Sequence, residues 1–276
     1  MKNFSNKYIF IYSIVLVAIV AVLLSVVAMG LKEKQDANVR NEKMQTLLAA
    51  INITTDRDSA AELYQQYFDY EITVSTKGDV LSVYNVKNGE MENGENNMRA
   101  FVINLKEQQA KEKAGEQGAF PVYIFTKDGK TGYVIPTQGN GLWGAVYSNI
   151  ALDSDLNTIV GVTFSHDSET PGLGAEITTS KFQQPFIGKQ ILDENGQVVS
   201  VAVIKRADPE GAHEVDAISG GTMTSNGVSA MLSDDLARYQ AWISAKLSDQ
   251  SQEAVEAVAD ETNEEQINEE EVTNEQ

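Results

Sequence analysis

The feature that most limits how this chain can fold is an uninterrupted apolar stretch near its N-terminus. Residues 8–31 contain 24 residues without a charged side chain or a proline. As a helix, at ~1.5 Å per residue, they would extend roughly 36 Å, enough for a hydrocarbon core of about 30 Å. The apolar region of a cleaved signal peptide is only about 7–15 residues long. The stretch therefore predicts a single transmembrane helix, preceded by a short N-terminal end at 1–7.

The basic residues around this span give a weak indication of its orientation. Two lysines lie before the span, and four basic residues follow it closely: Lys32, Lys34, Arg40 and Lys43. Because cytoplasmic flanks carry an excess of Lys and Arg, this count favours a large domain on the cytoplasmic side.

Charge and cysteine content exclude several classes of protein. The net charge is −19, and ten acidic residues and no basic residue fall in 251–276, which leaves −9 for the rest. A domain this acidic is not typical of nucleic-acid binding. The absence of cysteine excludes disulfides, cysteine-ligated metals and cysteine nucleophiles. The end of the chain, 251–276, is predicted to be a disordered acidic tail, with docking to a basic partner as the alternative.

The remaining residues, 32–250, predict an α+β domain. Alternating apolar patterns predict strands, with hairpin turns at 77–79 and 127–130. No regular βαβ rhythm is present, which argues against a doubly wound sheet. We predict helices at 36–51, 59–68 and 98–114, a helical turn at 180–184, a loop at 85–97, and strands at 71–75, 80–84, 121–126, 131–136, 144–148, 159–164 and 197–204.

Residues 216–225 form the stretch in which chemistry is most expected. It has two adjacent glycines and four hydroxyl side chains, and apolar residues at helical spacing follow it. They are Val228, Met231, Leu232, Leu236, Tyr239, Ile243 and Leu247. A helix start capped by Thr224, Ser225 or Asn226 would suit an anion, because free backbone N–H groups and the helix dipole favour negative charge. A capped helix with a glycine turn and no ligand is the alternative.

Two further polar loops qualify as candidates on their composition. Residues 139–144 fit the G-x-G-x-x-G pattern, but a strand pattern follows instead of a helix, which argues against dinucleotide binding. A glycine loop with Trp143 packed in the core is the alternative.

In 166–176, His166 with Glu169 suggests a metal site or an acid–base pair. The chain has only one other histidine, His213, which is too few for a histidine-rich metal site. Ser219 as a hydrolase nucleophile lacks the first glycine of the G-x-S-x-G elbow.

Taken in order, four segments make the chain resemble one known family. They are Gly-x-Gly-Leu-Trp-Gly at 139–144, Ala-Leu-Asp-Ser-Asp-Leu-Asn-Thr-Ile-Val-Gly at 151–161, Glu-Thr-Pro-Gly-Leu-Gly-Ala-Glu at 169–176, and Val-Asp-Ala-Ile-Ser-Gly-Gly-Thr at 215–222. This family is the C subunit of the sodium-translocating NADH:quinone oxidoreductase. The G subunit of the Rnf complex shares the third and fourth elements, whereas Gly-Leu-Trp-Gly favours the quinone reductase.

The resemblance implies FMN held covalently through its phosphate on Thr222, within a flavin-binding region at about 120–247. Thr222 would be a tether, and the resemblance implies no catalytic residue and no metal. The family more often has alanine where Gly221 stands. The other residues it places near the flavin are Asp216, Ser219, Gly220, Gly221, Thr224, Glu169, Thr170, Leu173, Gly174 and, less directly, Trp143. Lys205 or Arg206 would offset the phosphate charge.

The resemblance also implies partners and a location. The partners are the other subunits of the reductase, a flavin transferase for maturation, and membrane lipid, with no nucleic acid. The location is a bacterial inner membrane, with the domain 32–250 on the periplasmic side, opposite to what the Lys and Arg count favours. The alternatives are the Rnf G subunit and a non-redox, membrane-tethered module that binds an anionic ligand.

Overall fold

The computed structural model describes residues 5–252. Its first element, α1 (Asn6–Ala50), is one helix of 45 residues, about 68 Å long at 1.5 Å per residue. The sequence predicts two helices here, at 8–31 and 36–51. The structure joins them because residues 32–43 contain neither glycine nor proline to end the helix. Most of the predicted acidic tail, 253–276, lies outside the described residues.

Within residues 5–252, α1 is the one helix that is long and apolar enough to cross a membrane. Its apolar side chains over 8–31 are exposed, so the protein itself does not bury them. An apolar surface of this length needs a non-aqueous environment.

Seven strands form one antiparallel sheet in the order β3-β2-β1-β4-β5-β6-β7. The strands are β1 (Phe68–Val74), β2 (Val80–Asn85), β3 (Glu90–Asn93), β4 (Phe120–Lys127), β5 (Lys130–Asn140), β6 (Ala145–Leu152) and β7 (Ile159–His166). Both predicted hairpins are confirmed, since β1 pairs with β2 and β4 pairs with β5. The predicted loop at 85–97 instead contains the short edge strand β3.

Helices cover both faces of this sheet. They are α2 (Ala60–Tyr67), α3 (Leu105–Lys113), the single turn α4 (Ser180–Gln183) and α5 (Thr222–Ala237), and residues 240–252 are helical too. In β5, Tyr133 and Ile135 pack in the cluster that contains α5, whereas Val134 packs in the cluster that contains the end of α1. Alternate residues of one strand thus serve two cores, and the fold is α+β, as predicted.

The C-terminal end of α1 is built into the domain. Leu47 and Leu48 are fully buried. Lys43 Nζ donates a hydrogen bond to the Phe101 carbonyl at 2.7 Å, and burial lowers the pKa of Lys43 to about 8. Nearby, the buried Glu71 carboxylate accepts two hydrogen bonds from Arg99. The helix that carries the apolar stretch therefore ends inside the core of the domain.

Two predicted elements are wrong in extent. Of the predicted helix 98–114, only α3 is an α-helix. Residues 100–102 form a 3-10 turn, because the Phe101 N–H donates to Glu71 and not to a helical carbonyl. Of the predicted strand 197–204, only β8 (Ala202–Ile204) is a strand. Val198 makes a single isolated bridge, and Ser200 is left-handed with φ of 65°.

β8 pairs in parallel with β9 (Glu214–Asp216) to form a second, two-stranded sheet. β9 ends at Asp216, where the glycine- and hydroxyl-rich stretch 216–225 begins, and this stretch leads directly into α5. Val203 and Val215, one in each strand, are both buried in the same cluster as α5. The local connection is therefore strand, turn, helix.

Candidate functional site

Residues 216–225 turn sharply between β9 and α5. Gly220 has φ of 78°, a left-handed conformation that glycine adopts without steric cost. Gly221 is the N-cap residue, and Thr222 is the first residue of α5. Thr222 therefore lies where the backbone N–H groups of a helix have no partner within the helix, a place that favours anions.

Three hydroxyl side chains near this helix start have different environments. Thr224 is buried and donates a hydrogen bond to Glu169 Oε2 at 2.6 Å. Ser225 is buried, and its Oγ accepts the Ile218 N–H at 3.0 Å. Thr222 is exposed, and within residues 5–252 nothing hydrogen-bonds to its side chain. The predicted caps at Thr224, Ser225 or Asn226 are wrong because the helix begins at Thr222.

Two clefts meet at Thr222 and Gly220. The smaller, of about 140 Å³, we call the apolar cleft; it is lined by Leu142, Trp143, Glu169, Thr170, Leu173, Gly174, Gly220, Gly221, Thr222, Met223 and Thr224. The larger, of about 880 Å³, we call the basic cleft; it is lined by Gly172, Glu176, Thr179, Lys181, Phe182, Pro185, Lys205, Arg206, Asp216, Ala217, Ile218, Ser219, Gly220 and Thr222. Thr222 thus has access to two surfaces of different chemistry.

Four large apolar side chains at the apolar cleft are exposed. Trp143 is 66% exposed, Met223 60%, Leu142 51% and Leu173 43%. The alternative of Trp143 packed in the core is wrong, because the loop 141–144 projects beyond the sheet. Exposed apolar groups gathered around one cleft mark a binding surface.

Glu169 forms the polar back wall of the apolar cleft. It is only 5% exposed, and its Oε1 accepts the Trp143 N–H at 2.8 Å. Burial by itself would raise the pKa of the Glu169 carboxyl. The hydrogen bonds from Thr224 and from the N–H groups of residues 142–144 outweigh burial, so that pKa lies below its ordinary value. Glu169 therefore carries a negative charge at neutral pH.

Gly139, Gly141 and Gly174 allow close packing around Glu169 and α5. A Cβ at Gly141 would collide with Glu169 Oε1, and a Cβ at Gly174 would collide with Glu169 Oε2 and Thr224 Oγ1. A Cβ at Gly139 would meet Met231 of α5. Strand β6 follows Gly144 directly, as the rejection of a dinucleotide fingerprint predicts. The glycines of the G-x-G-x-x-G pattern here allow close packing.

The basic cleft carries three exposed cationic side chains: Lys181, Lys205 and Arg206. Asp216, also exposed, shapes one wall, because its Oδ1 accepts the Ala207 N–H at 2.9 Å. Lys181 does not stand out in the sequence, because the chain passes from α4 to β8 between it and Lys205. Only the fold brings it into the same cleft as Lys205 and Arg206.

The metal and hydrolase alternatives find no support in the geometry. Within residues 5–252, no group of three or more His, Asp or Glu side chains is arranged to hold a metal ion. His166 Nδ1 accepts the Glu169 N–H at 3.2 Å, and His213 Nδ1 lies 2.7 Å from the Gln190 carbonyl oxygen. Neither histidine lines either cleft beside Ser219.

The structure gathers every residue that the resemblance places near the flavin. Asp216 and Ser219 line the basic cleft, Gly220 and Thr222 line both, and the others line the apolar cleft: Trp143, Glu169, Thr170, Leu173, Gly174, Gly221 and Thr224. Sequence reasoning missed Leu142 and Met223. Each is an apolar residue within a polar, glycine-rich turn, a signal that is visible only once the turn is known to be exposed.

Comparison with known proteins identifies the family. Residues 141–237 match the family model described as FMN-binding domain. Over 220 residues the chain is 30% identical to the C subunit of the Na(+)-translocating NADH-quinone reductase of Vibrio parahaemolyticus, covering 75% of this chain and 82% of that protein. The chain belongs to this C-subunit family. The C subunit from Vibrio anguillarum is 30% identical over 235 residues, covering 82% of this chain and 89% of that protein.

Solved structures agree with this family assignment. The crystal structure of the C subunit from Parabacteroides distasonis matches with a TM-score of 0.65 and 36% identity, over 77% of this chain and 96% of that chain. Shewanella oneidensis NqrC matches with a TM-score of 0.60 and 24% identity, over 76% and 98%, which supports the fold alone. The family resemblance drawn from the sequence motifs is confirmed, and so is the α+β fold.

Proposed function

We propose that this chain is the FMN-carrying electron-transfer subunit of a sodium-translocating NADH:quinone reductase, with FMN esterified through its phosphate to Thr222. Family membership and the match to an FMN-binding domain support the cofactor and the complex. The observation that carries the attachment is the position of Thr222 Oγ1, exposed and without a hydrogen-bond partner within residues 5–252, where the apolar and basic clefts meet.

The chemistry of the two clefts suits the two parts of FMN. The apolar cleft offers Leu142, Trp143 and Leu173 to an aromatic ring. At about 140 Å³ it is well below the ~300–1,000 Å³ of pockets that enclose a small molecule. A ring seated there would stay partly exposed, as an electron carrier requires. Bound FMN supplies the redox chemistry, while the chain binds and orients it.

Attachment requires an oxygen on the side chain and an activated donor. Thr222 Oγ1 would bond to the flavin-side phosphorus of an activated flavin nucleotide and lose its proton. The leaving group of that nucleotide would depart with the electron pair of the broken P–O bond. A flavin transferase would supply the base. The phosphodiester keeps one negative charge, which the N-terminus of α5 and the side chains of Lys205 and Arg206 favour.

The test is the loss of covalent flavin in Thr222→Ala, made in the full chain together with a flavin transferase. Ser219→Ala is the matched control, because it removes an exposed hydroxyl from the same turn. Wild type and Ser219→Ala should carry the added FMN mass and show in-gel flavin fluorescence after denaturation. Thr222→Ala should carry neither. Covalent FMN in Thr222→Ala would assign the attachment to another residue.

The chain would work in a bacterial inner membrane as a single-pass protein whose domain faces the periplasm. The long apolar helix α1 and the membrane-complex relatives support a single membrane span. Other subunits of the reductase would be its redox partners, and lipid would surround residues 8–31. The periplasmic side follows from the family resemblance.

A further inference from the structure

The Glu169 carboxylate at the apolar cleft is held by hydrogen bonds on both oxygens. Both of its oxygens are occupied, Oε1 by the Trp143 N–H and Oε2 by the Thr224 hydroxyl. At 5% exposure it is almost entirely enclosed by protein. It lies behind the apolar cleft, one residue before Thr170 and within contact of the first turn of α5.

This carboxylate is charged and has no counterion in the part of the chain that the structure describes. Its hydrogen bonds come from neutral donors, and they favour the ionised form. Within residues 5–252, no Lys, Arg or His side chain forms an ion pair with Glu169. The three cations of the basic cleft are not among the residues that line the apolar cleft. The negative charge therefore acts on the apolar cleft without neutralisation by a paired cation.

The surrounding backbone is shaped to hold this charge in one place. Gly141 and Gly174 lie against the two carboxylate oxygens so closely that a Cβ at either position would collide with them. Trp143 and Thr224, the two hydrogen-bond donors, belong to the loop 141–144 and to α5, and both of these line the apolar cleft. In this position both donors are satisfied.

We propose that Glu169 is a positioning residue whose fixed negative charge lowers the reduction potential of the flavin at Thr222. This inference rests on the proposed function. Reduction adds electrons to the ring, and a neighbouring anion in a partly buried site disfavours the added negative charge. The same carboxylate joins the loop 141–144 to α5 and so maintains the shape of the cleft.

Glu169→Gln separates the charge from the shape. The glutamine has the same length, its carbonyl oxygen accepts the Trp143 N–H, and its NH₂ donates to the Thr224 hydroxyl. The full chain, flavinylated by a transferase, should keep its covalent FMN, while its midpoint potential rises above that of wild type in a spectroelectrochemical titration at pH 8. Glu194→Gln is the control. It removes an exposed carboxylate that lines neither cleft, where solvent screens its charge, and should leave the potential unchanged.

Thr224→Val gives a second and opposite test. Valine keeps the shape of threonine but withdraws the hydroxyl that partly neutralises Glu169 Oε2. At pH 8 the less compensated charge should lower the potential below that of wild type. If Glu169→Gln fails to fold, Thr224→Val decides alone: a lower potential supports the inference, and an unchanged or raised potential overturns it.

The outcomes also separate this inference from the proposed function. Flavinylated Glu169→Gln with the wild-type potential would overturn the inference alone. A wild-type chain without covalent flavin would overturn the proposed function and the inference together.

Discussion

Thr222 and Thr224 are two residues apart in one turn, yet their hydroxyls have opposite environments. Thr224 is buried against Glu169, whereas Thr222 is exposed between two clefts. Nothing in the spacing of the two threonines distinguishes them, because both fall in the first turn of a helix whose start the sequence places too late. The sequence identifies Thr222 only through its resemblance to a known motif. The two threonines differ in burial, and the burial of Thr224 depends on the loop that carries Glu169, some 55 residues away in the sequence.

Gly174→Ala tests whether the cleft depends on the space around Glu169. The new methyl group would collide with Glu169 and Thr224, and overpacking of this kind costs about 1–3 kcal/mol. We expect a lower melting temperature and reduced flavin content per chain. Gly172→Ala is the control, since its methyl group would meet open space and only its left-handed backbone, with φ of 77°, is strained. Equal loss of flavin in both variants would contradict the role of close packing.

Asp235 gives the fold a pH dependence with a definite sign. The carboxylate is buried in α5, accepts hydrogen bonds from the Gln138 N–H and the Gln109 side chain, and forms an ion pair with Arg238, all of which oppose the effect of burial on its pKa. Burial raises the pKa of Asp235 to about 6, above the ~3.9 of an unfolded aspartate. The folded state therefore holds the proton more tightly. The contribution of Asp235 to the free energy of unfolding is full below about pH 4 and is lost as the pH rises through 6.

Asp235→Asn, which cannot ionise, should lack this loss of stability. The melting temperature of Asp235→Asn minus that of wild type should increase from pH 5 to pH 7.5. Thermal melts at several pH values measure this difference. Asp249→Asn removes an exposed carboxylate that is not among the groups affecting the pKa of Asp235, and it should follow wild type. A difference between Asp235→Asn and wild type that stays constant with pH would contradict the raised pKa of Asp235.

At the scale of elements, the sequence predicts what depends on local pattern and misses what depends on contacts. The hairpins at 77–79 and 127–130 were predictable because turn residues separate alternating strands. The helix predicted at 98–114 was not correct, because its first residues are held by the distant Glu71 and not by helical hydrogen bonds. The union of two predicted helices into α1 was missed because the change from apolar to polar composition at residue 32 resembles a boundary.

The joint between α1 and the domain should be strong, because its last turns lie in the core. Leu48 is fully buried, and Leu48→Ala should lower the free energy of unfolding by about 2–5 kcal/mol. Val39, in the same helix but 64% exposed, provides the control, and Val39→Ala should change it by less than about 0.5 kcal/mol. Urea unfolding of the detergent-solubilised chain, followed by tryptophan fluorescence, measures both. Similar losses in the two variants would mean that α1 does not depend on this packing.

At the scale of the whole molecule, the periplasmic location proposed for the domain can be tested by labelling. The chain has no cysteine, so single introduced cysteines report accessibility without background. Ser233→Cys lies on the exposed face of α5, and Ser5→Cys lies before the apolar stretch. A maleimide that cannot cross the inner membrane should label Ser233→Cys from the periplasmic side and Ser5→Cys only after lysis. The reverse pattern would place the domain in the cytoplasm, as the Lys and Arg count favours.

The unbroken course of α1 has a geometric consequence for assembly. Between Leu31 and Lys43 the helix rises about 18 Å, and each residue also advances the chain by about 100° around the helix axis. Removing one residue from 32–42 would lower Thr222 by only ~1.5 Å but turn it to face a different neighbour. Adding seven residues would raise it by ~10.5 Å while keeping its heading to within about 20°. The helix thus sets both the height of the cleft above the bilayer and the direction in which the cleft faces neighbouring subunits.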